Sequence, residues 1–441
     1  MTEKKSIAGI SLGKAKANSA LTPIDPKKVY RSEFPHRALG NGGPPATIEN
    51  LLFLIDLARI VVRYNVIKKK TEILIPEVEG STDNYDNNAR THVCSMAAEH
   101  GMPTGSIPAI LETIADRNPY NPVVAWIDSK PWDGLDRLPE VCATLTAMED
   151  YPPELKVVLI VKWLLSALAA ARKPHGFRSR GVLTLQGRQG LGKTAWGRRL
   201  ISDERLRDLV LKLDHNLDPS NKDSILGAIT HWLVEIGELD SSFKRDIARL
   251  KGFLTNEKDK IRRPYAHVEA EYGRRTVFFA TVNQADFLVD STGNSRWWTI
   301  PVVEIDYNHD IDMQQVFAQL TVRLDAGDEW WLTPEEECQL DAWNDRHRSF
   351  SMIADMLSNL VDWELTDPAA FEKFTATELL IHAGLERPTN PQAKECAAIL
   401  REHLGEPKRI NGYMKWSVPI RPNAPDDGPA YLPLRSKKQF D

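Results

Sequence analysis

The chain has 441 residues, of which 42% are hydrophobic and 27% charged, and its formal net charge at pH 7 is −5. This length and composition are those of a soluble globular protein with two or three domains. The four cysteines form no C-x-x-C pair, which argues against a zinc site and a disulfide framework. No signal-peptide pattern is present, and the most apolar stretch, residues 155–171, is too short and too charged to span a membrane. We therefore expect a cytoplasmic protein without membrane contact.

Before residue 173 the sequence predicts three regions. Residues 1–46 are rich in Lys, Pro and Gly and indicate a flexible arm. Residues 47–117 predict a small α+β module, and residues 118–172 predict a loop-rich linker followed by a helix over 153–172. The predicted elements of the module are a helix capped by Thr47, strands over 59–66 and 71–75, and helices over 88–100 and 107–116.

Basic residues are concentrated in three places. Residues 172–199 contain eight Lys or Arg and no acidic residue, and residues 244–275 contain ten basic and five acidic residues. Lys68, Lys69 and Lys70 join the two predicted strands of the module. Each cluster is compatible with contacts to nucleic-acid phosphates. The alternative for each charge is an ordinary solvated surface position.

A glycine-rich loop is the central motif of the chain. It has the pattern G-x-x-x-x-G-K-[ST] and consists of Gly187, Arg188, Gln189, Gly190, Leu191, Gly192, Lys193 and Thr194. A β-prone run over 181–186 precedes it and a predicted helix over 195–201 follows, which is the context that this motif requires. Such a loop surrounds phosphates with backbone N–H groups. We expect ATP here, with Lys193 on the β- and γ-phosphates and the Thr194 hydroxyl as a ligand of Mg²⁺.

A second predicted strand brings carboxylates towards this loop. The apolar run over 229–235 ends at Glu235, where a P-loop ATPase holds its magnesium ion. Glu238, three residues later, is the candidate that polarises the attacking water. Strand-end carboxylates also serve as helix caps, and which glutamate performs which role stays open.

Two more polar residues are candidates for the same site. Asn283 follows the predicted strand over 276–282 and is placed to bond the γ-phosphate or the attacking water. Arg296 precedes a strand-like run over 299–303 and is a candidate arginine finger, which would stabilise charge in the transition state. The alternative for Arg296 is a structural salt bridge.

Four blocks between residues 118 and 345 resemble the virulence-associated protein E family of phage and mobile-element replication proteins. These relatives are superfamily 3-like helicase ATPases of the AAA+ class. The blocks lie at residues 132–138, 187–194, 232–239 and 263–298. The resemblance implies an α/β P-loop NTPase core over 173–305 with a helical lid over 306–366. In one respect the sequence departs from the family pattern, because Ser295 stands where a second arginine is usual.

The resemblance also implies a ring, with six subunits as the expected number. Each ATP would lie between two subunits, with Arg296 supplied by one and the other groups by its neighbour; those groups are Lys193, Thr194, Glu235, Glu238 and Asn283. In such helicases a hairpin lines the central pore, which corresponds to residues 251–275 here. The candidate contacts to single-stranded DNA in this segment are Lys258, Lys260, Arg262 and Arg263. No primase domain is recognisable, so a separate primase or polymerase is an expected partner.

The last part of the chain predicts a winged-helix-like domain over 367–420 and a disordered tail over 421–441. Helices over 311–324 and 334–348 make up the expected lid. Thr375 begins a helix with a capping box, a second helix spans 391–404, and residues 408–416 form a hairpin with an Asn-Gly turn. Lys408 and Arg409 are the candidate DNA contacts of this hairpin, as the wing of the domain.

Two functions fit these observations. The first is an ATP-dependent, ring-forming DNA helicase or translocase that acts on single-stranded or forked DNA during replication of a phage, prophage or plasmid. The second is a replication initiator or regulator that binds DNA, is switched by nucleotide and does not unwind. A small-molecule kinase is a weaker reading, because no second substrate site is recognisable.

Overall fold

The computed structural model describes most of the chain between residues 29 and 421. The described residues are 29–37, 42–76, 82–173, 175, 177–237, 247–261, 270–283, 296–344, 352–363, 371–410 and 412–421. They form an α/β protein with a central six-stranded mixed sheet and three smaller sheets. No helix in these ranges combines the length and apolar character needed to cross a membrane.

The amino-terminal module is built from two layers around its own apolar core. Its elements are α1 (Ile48–Leu57), β1 (Val61–Asn65), β2 (Lys70–Leu74), α2 (Tyr85–Glu99), α3 (Ile107–Asp116) and β3 (Pro119–Tyr120). The three strands pair in the order β2-β1-β3. The hydroxyl of Thr47 accepts a hydrogen bond from Asn50 N at 3.2 Å, so the predicted cap is confirmed. The predicted helices and strands of this module are confirmed to within about three residues.

The predicted flexible arm is wrong for the part that the structure describes. Phe34 is 3% exposed and belongs to the module core, and His36 N donates to Asn50 Oδ1 at 2.8 Å. One aromatic anchor in a Pro- and Gly-rich segment produces no periodicity, so the sequence pattern could not reveal it. Residues 1–28 of the predicted arm lie outside the described ranges.

The lysine turn between β1 and β2 packs against the central body of the protein. Lys69 is 2% exposed and its Nζ donates to Gly273 O at 3.3 Å. Lys68 Nζ lies 3.0 Å from Nε2 of His231, and Lys70 pairs with Asp86. For the buried Lys69 the predicted alternatives, a phosphate contact or a solvated turn, are therefore both wrong. For the half-buried Lys68 a phosphate contact stays a prediction.

Within the described ranges the central body contains nine helices and eight strands, and six of these strands form the central sheet. Before and at the glycine-rich loop the elements are α4 (Pro122–Ile127), α5 (Leu138–Ala143), β4 (Leu145–Ala147), α6 (Pro153–Arg172), β5 (Val182–Gln186) and α7 (Lys193–Arg199). After it come α8 (Glu204–Val210), β6 (Leu211–His215), α9 (Lys222–Ile229), β7 (Leu233–Ile236), α10 (Ile247–Leu254), β8 (Lys258–Ile261), β9 (Ala270–Gly273), β10 (Val277–Val282), β11 (Trp297–Ile305), α11 (Met313–Asp325) and α12 (Pro334–Asn344).

The strands of the central sheet follow the spatial order β4-β11-β5-β10-β7-β6. β4 is antiparallel to β11, and the other five strands are parallel. The mostly apolar sequences of β5, β7, β10 and β11 suit this arrangement, because both faces of a parallel sheet are buried, whereas the edge strand β6 is more polar. The carboxyl ends of these five strands therefore meet along one edge.

Helix α6 fills the core on one face of the sheet. Trp163 Nε1 donates to Phe278 O at 2.8 Å, and Trp232 Nε1 donates to Ala167 O at 2.8 Å. The region predicted as a linker and pre-core segment, residues 118–172, thus shares its core with the sheet and contributes β4 to it. This packing depends on contacts distant in sequence, which local patterns do not report.

Three local predictions need correction. The strand predicted over 229–235 begins only at Leu233, because α9 continues to Ile229. The loop-rich segment over 118–139 contains helix α4, capped by the Asn121 side chain. The predicted lid helix over 311–324 is α11, whose residues 313–320 are all buried in the same core as α6, so it is part of the body.

Helix α11 also forms hydrogen bonds with residues 132–138, the first block of the family resemblance. Gln315 Oε1 accepts from Asp133 N at 2.8 Å, and Gln319 Oε1 accepts from Arg137 N at 3.1 Å. Asp133 and Arg137 form a two-bonded ion pair with both N–O distances at 2.7 Å. These contacts therefore fix the conformation of the surface loop over residues 132–138.

The carboxyl-terminal module has a separate core. Its elements are α13 (Met352–Leu360), β12 (Phe371–Phe374), α14 (Ala376–His382), α15 (Asn390–Leu404), β13 (Lys408–Ile410) and β14 (Tyr413–Pro419). The strands pair in the order β12-β14-β13, and the capping box of Thr375 with Glu378 is confirmed. The predicted helices and hairpin are present, and α13, expected in the lid, packs with them. The tail after residue 421 lies outside the described ranges.

Candidate active site

A cavity of about 920 Å³ lies at the carboxyl edge of the parallel strands. It is lined by residues 189–195 of the glycine-rich loop and its helix, by the ends of β6, β7 and β10, and by Tyr307 beyond β11. Crevices at this edge are the usual ligand sites of open α/β sheets. The sheet order thus brings together groups from five separate segments of the chain.

The glycine-rich loop connects β5 to α7 across this edge. Gly187 N donates to Val282 O at 3.1 Å, which fixes the start of the loop against β10. Gly190 and Gly192 have φ angles of 86° and 87°, in the left-handed region that favours glycine. The loop therefore takes a backbone path that other residue types adopt only with strain.

Lys193 is folded back into the loop. Its Nζ donates to Gly187 O at 2.6 Å, to Arg188 O at 3.0 Å and to Asn283 Oδ1 at 2.9 Å. The side chain is buried, and this burial lowers the pKa of Lys193, while the nearby Glu235 carboxylate opposes the shift. The structure thus brings together two of the predicted site residues, Lys193 and Asn283.

Glu235 is 1% exposed and lies beside Thr194. Its Oε1 accepts from Thr194 Oγ1 at 2.6 Å and from Thr281 Oγ1 at 3.0 Å, and its Oε2 accepts from Asp214 N at 3.2 Å. Within the described ranges no Lys or Arg forms an ion pair with this carboxylate. A buried carboxylate without a cation is costly, and hard oxygen donors are the ligands that Mg²⁺ prefers. The donors present therefore fit the predicted magnesium ion at Thr194 and Glu235.

Asp214, at the end of β6, lines the cavity beside Glu235 and was not predicted. Its φ of 49° is unusual for a residue other than glycine, and such strain is often found at functional sites. A Cβ at Gly237 would overlap the Asp214 carboxylate, which explains the glycine after Glu235 and Ile236. The sequence indicates this position only weakly: Leu211 and Leu213 alternate as in a short strand, and the acidic residue follows them.

Thr281 and Tyr307 are two further lining residues that the sequence pattern did not single out. Thr281 is the penultimate residue of β10, and its hydroxyl donates to Glu235. Tyr307 lies two residues beyond β11, in the connection to α11. Its identity as a lining residue depends on β11 being the neighbour of β5, which sequence alone does not give.

Arg296 lies away from the cavity of its own chain. It directly precedes β11, in which Trp297 is opposite Val182 and Pro301 is opposite Gln186. Arg296 is thus at the amino edge of the sheet, about 16 Å from the loop along five residues of strand. It is half-buried, and its Nε has no hydrogen-bond partner in the described part of the chain. The structure does not bring Arg296 together with Lys193.

The predicted pore segment contains an antiparallel pair. β8 and β9 pair from Lys258 opposite Gly273 to Ile261 opposite Ala270. Lys258 and Lys260 are exposed, and both lie near Glu271, as an ion pair with Lys258 and at 3.7 Å from the Nζ of Lys260. The ion pair with Glu271 raises the pKa of Lys258. Their contact with DNA stays a prediction.

Several predicted residues lie outside the described ranges or far from the cavity. Glu238, Arg262 and Arg263 are outside the described ranges. Lys408 and Arg409 are exposed on β13 of the carboxyl-terminal module. Their predicted roles remain predictions.

Solved structures with a similar fold include two of the NrS-1 C-terminal region. The apo structure of NrS-1 residues 305–718 has a TM-score of 0.46 and 14% identity, with 84% of this chain and 98% of that chain covered. An A-form apo structure of the same region has a TM-score of 0.45 and 13% identity, with 84% and 99% covered. No curated protein matches the chain.

The family comparison covers the central body. The model of the virulence-associated protein E-like domain matches residues 127–349, which is just over half of the chain. The matched segment contains the glycine-rich loop, Glu235, Asn283 and Arg296. This chain therefore belongs to the virulence-associated protein E-like family.

Proposed function

We propose that the chain is a magnesium-dependent P-loop ATPase of the AAA+, superfamily 3-like type that works as a ring-forming DNA helicase or translocase. One observation carries the proposal. Lys193, Thr194, Glu235 and Asn283, from three separate segments, converge on one cavity at the carboxyl edge of a parallel sheet. This is the combination of groups that phosphoryl transfer to water requires.

The loop and Lys193 supply the contacts to phosphate. Lys193 Nζ is held at the mouth of the loop by two carbonyl oxygens and Asn283, so a small rotation turns it to the β- and γ-phosphates. Asn283 directly follows β10, the strand between the loop strand β5 and β7, which carries Glu235. That position suits an amide that senses the γ-phosphate or the attacking water.

Thr194 and Glu235 would hold the magnesium ion. A bound magnesium ion would neutralise charge on the phosphate oxygens. Glu235 is oriented for this by the Thr281 hydroxyl and by Asp214 N. The water-polarising role stays with Glu238, which follows the same strand two residues after Ile236 in sequence.

A ring is supported by the position of Arg296. Because it lies at the amino edge of the sheet, it is too distant to act on the cavity of its own chain. A finger at this place can serve only the cavity of a neighbouring subunit. The exposed Lys258 and Lys260 on β8 and the basic residues Lys408 and Arg409 provide cations for the DNA backbone. Family membership supports a role in replication of a phage or another mobile element.

The second candidate function is an initiator or regulator that binds DNA and is switched by nucleotide without unwinding. The carboxyl-terminal module favours this function, because it has its own core and carries the exposed basic residues of β13. Both candidates require nucleotide binding, and only the first requires strand separation.

Two assays test the proposal. Strand displacement on a forked duplex with ATP separates the candidates: unwinding supports the helicase, and tight DNA binding without unwinding supports the switch. Mixing Lys193→Ala and Arg296→Ala subunits tests the shared site. Each variant alone should be inactive in ATP hydrolysis, and a mixture should regain part of the rate. No recovery in mixtures that still assemble would contradict an arginine finger from the neighbour.

A further inference from the structure

We infer that Tyr307 is the contact for the nucleobase, so that the cavity takes a nucleoside triphosphate whose base lies on the Tyr307 ring. This inference rests on the proposed function and extends it. Lys193, Thr194 and Glu235 would bind the phosphates and the metal ion. The cavity, at about 920 Å³, is larger than a triphosphate requires and leaves room for a base.

The sheet order gives the site a direction. Asn283 follows β10, and Glu235 and Asp214 lie near the carboxyl ends of β7 and β6. These three strands all lie on one side of the loop strand β5. Tyr307 follows β11, which is the neighbour of β5 on the other side. β7 and β11 are three strand spacings apart, about 14 Å. With the γ-phosphate and metal at the β10 and β7 side, the base must extend away from them, towards β11.

The Tyr307 ring lies against the loop itself. A Cβ at Gly192 would overlap the Cδ1 and Cε1 atoms of this ring, so the ring packs on the backbone directly before Lys193. Even so, Tyr307 remains 39% exposed and lines the cavity. One part of the ring is therefore fixed by the loop, and another part is open to a ligand.

The backbone around Tyr307 is held in place by neighbouring segments. Arg199 Nε donates to Tyr307 O at 3.1 Å, and Asp306 N donates to Thr144 O at 2.8 Å. Asn308 N donates to Asp306 Oδ1 at 3.1 Å. A pre-organised aromatic ring loses little conformational freedom when a ligand binds, which makes it a good stacking surface.

Tyr307 is the single aromatic side chain among the described residues that line the cavity. Stacking tolerates every base, because each base has a π-face, and removing an aromatic partner weakens binding by about 5- to 150-fold per base. We therefore expect adenine and guanine nucleotides to depend on Tyr307 alike. A ligand without a base should not depend on it.

The test compares ligands with and without a base. Full-length wild type, Tyr307→Ala, Tyr307→Phe and Lys193→Ala are titrated with a non-hydrolysable ATP analogue and with inorganic tripolyphosphate, both with Mg²⁺. Tyr307→Ala should weaken the ATP analogue about tenfold and leave tripolyphosphate unchanged, whereas Tyr307→Phe should bind like wild type. Tyr30→Ala, which removes an exposed aromatic ring outside the cavity, is the matched control.

The results distinguish a failure of the base contact from a failure of the proposed function. Equal weakening of both ligands by Tyr307→Ala, or no weakening of either, would overturn the base contact. Wild type that binds neither ligand, or a Lys193→Ala variant that binds both normally, would instead overturn the proposed function. Photolabelling of wild type with 8-azido-ATP needs no variant. The label should map to the segment 306–312, and a label confined to other segments would also refute the inference.

Discussion

Two buried carboxylates of the central body have opposite surroundings. Asp259, on β8, is paired with the buried Arg274, whose Nε and Nη2 donate to its two oxygens at 2.8 and 2.6 Å. Glu235, on β7, has only two hydroxyl groups and one backbone N–H as partners within the described residues. The first carboxylate is satisfied by the protein itself. In the proposed function a bound Mg²⁺ ion completes the surroundings of the second carboxylate, which would make Glu235 a functional acid and Asp259 a structural one.

The largest expected effect on stability comes from breaking the buried ion pair of Asp259 and Arg274. Arg274→Ala leaves the Asp259 carboxylate buried without a partner and should lower the free energy of unfolding by about 3–5 kcal/mol. Denaturant titration measures this loss. The matched control is Arg323→Ala, which removes a half-exposed pair with Asp328 and should cost less than about 1 kcal/mol. Equal losses of unfolding free energy in Arg274→Ala and Arg323→Ala would show that the buried ion pair contributes no more than the half-exposed one.

Glu235→Gln should affect activity and not stability, in contrast to Arg274→Ala. It removes the charge while keeping the shape, so ATP hydrolysis should fall by about 100-fold or more with little change in the stability of the protein without ligand. In wild type, magnesium with nucleotide should raise the melting temperature, and in this variant the rise should be smaller. A variant that is strongly destabilised yet hydrolyses ATP normally would show that Glu235 is structural.

A third change tests the acid beside Glu235. In Gly237→Ala the new methyl group meets the Asp214 carboxylate, so we expect a loss of about 1–3 kcal/mol in stability and slower hydrolysis. Adding Asp214→Gly removes the overlap with the carboxylate and the strain of the positive φ, while the contacts of 3.0 and 3.1 Å to the backbone of residue 214 remain, so it should restore part of the stability. Whether hydrolysis returns then decides the role of Asp214: a catalytic role predicts that it stays low.

The smallest effect is expected where the amino-terminal module meets the body. Burial, with a contribution from Lys68, lowers the pKa of His231 to about 4, and its neutral Nε2 accepts from Lys68. The unfolded chain binds this proton at a higher pH, so stability should fall as pH falls from about 6.5 towards 4. The expected loss between pH 6.5 and 5.5 is about 1 kcal/mol. Unfolding midpoints of wild type and His231→Gln across this range measure it; the variant should show a flatter profile, and identical profiles would exclude His231.

Much of the site could be predicted because its signals are local. The loop pattern, the apolar strands on both sides of it, and the polar residues that end two strands identify Lys193, Thr194, Glu235 and Asn283 without knowledge of the sheet order. The same holds for α3 and α6, whose predicted bounds match the structure.

The missed residues depend on contacts between distant segments. Asp214 ends a short edge strand with weak alternation, and Tyr307 acquires its place only when β11 pairs with β5. The position of Arg296 relative to the cavity likewise follows from the strand direction. Lys69 resembled a solvated turn residue because nothing in its neighbourhood reports that Gly273 lies against it.

ATP hydrolysis by the purified chain, measured with magnesium in the presence and absence of single-stranded DNA, tests the proposed function most directly, with Lys193→Ala as the control. We predict a rate that rises with single-stranded DNA and disappears in the control. A rate that is indifferent to DNA would favour the nucleotide-switched initiator. Hydrolysis that persists in Lys193→Ala, or is absent in wild type under all conditions, would contradict the assignment of this cavity as an ATPase site.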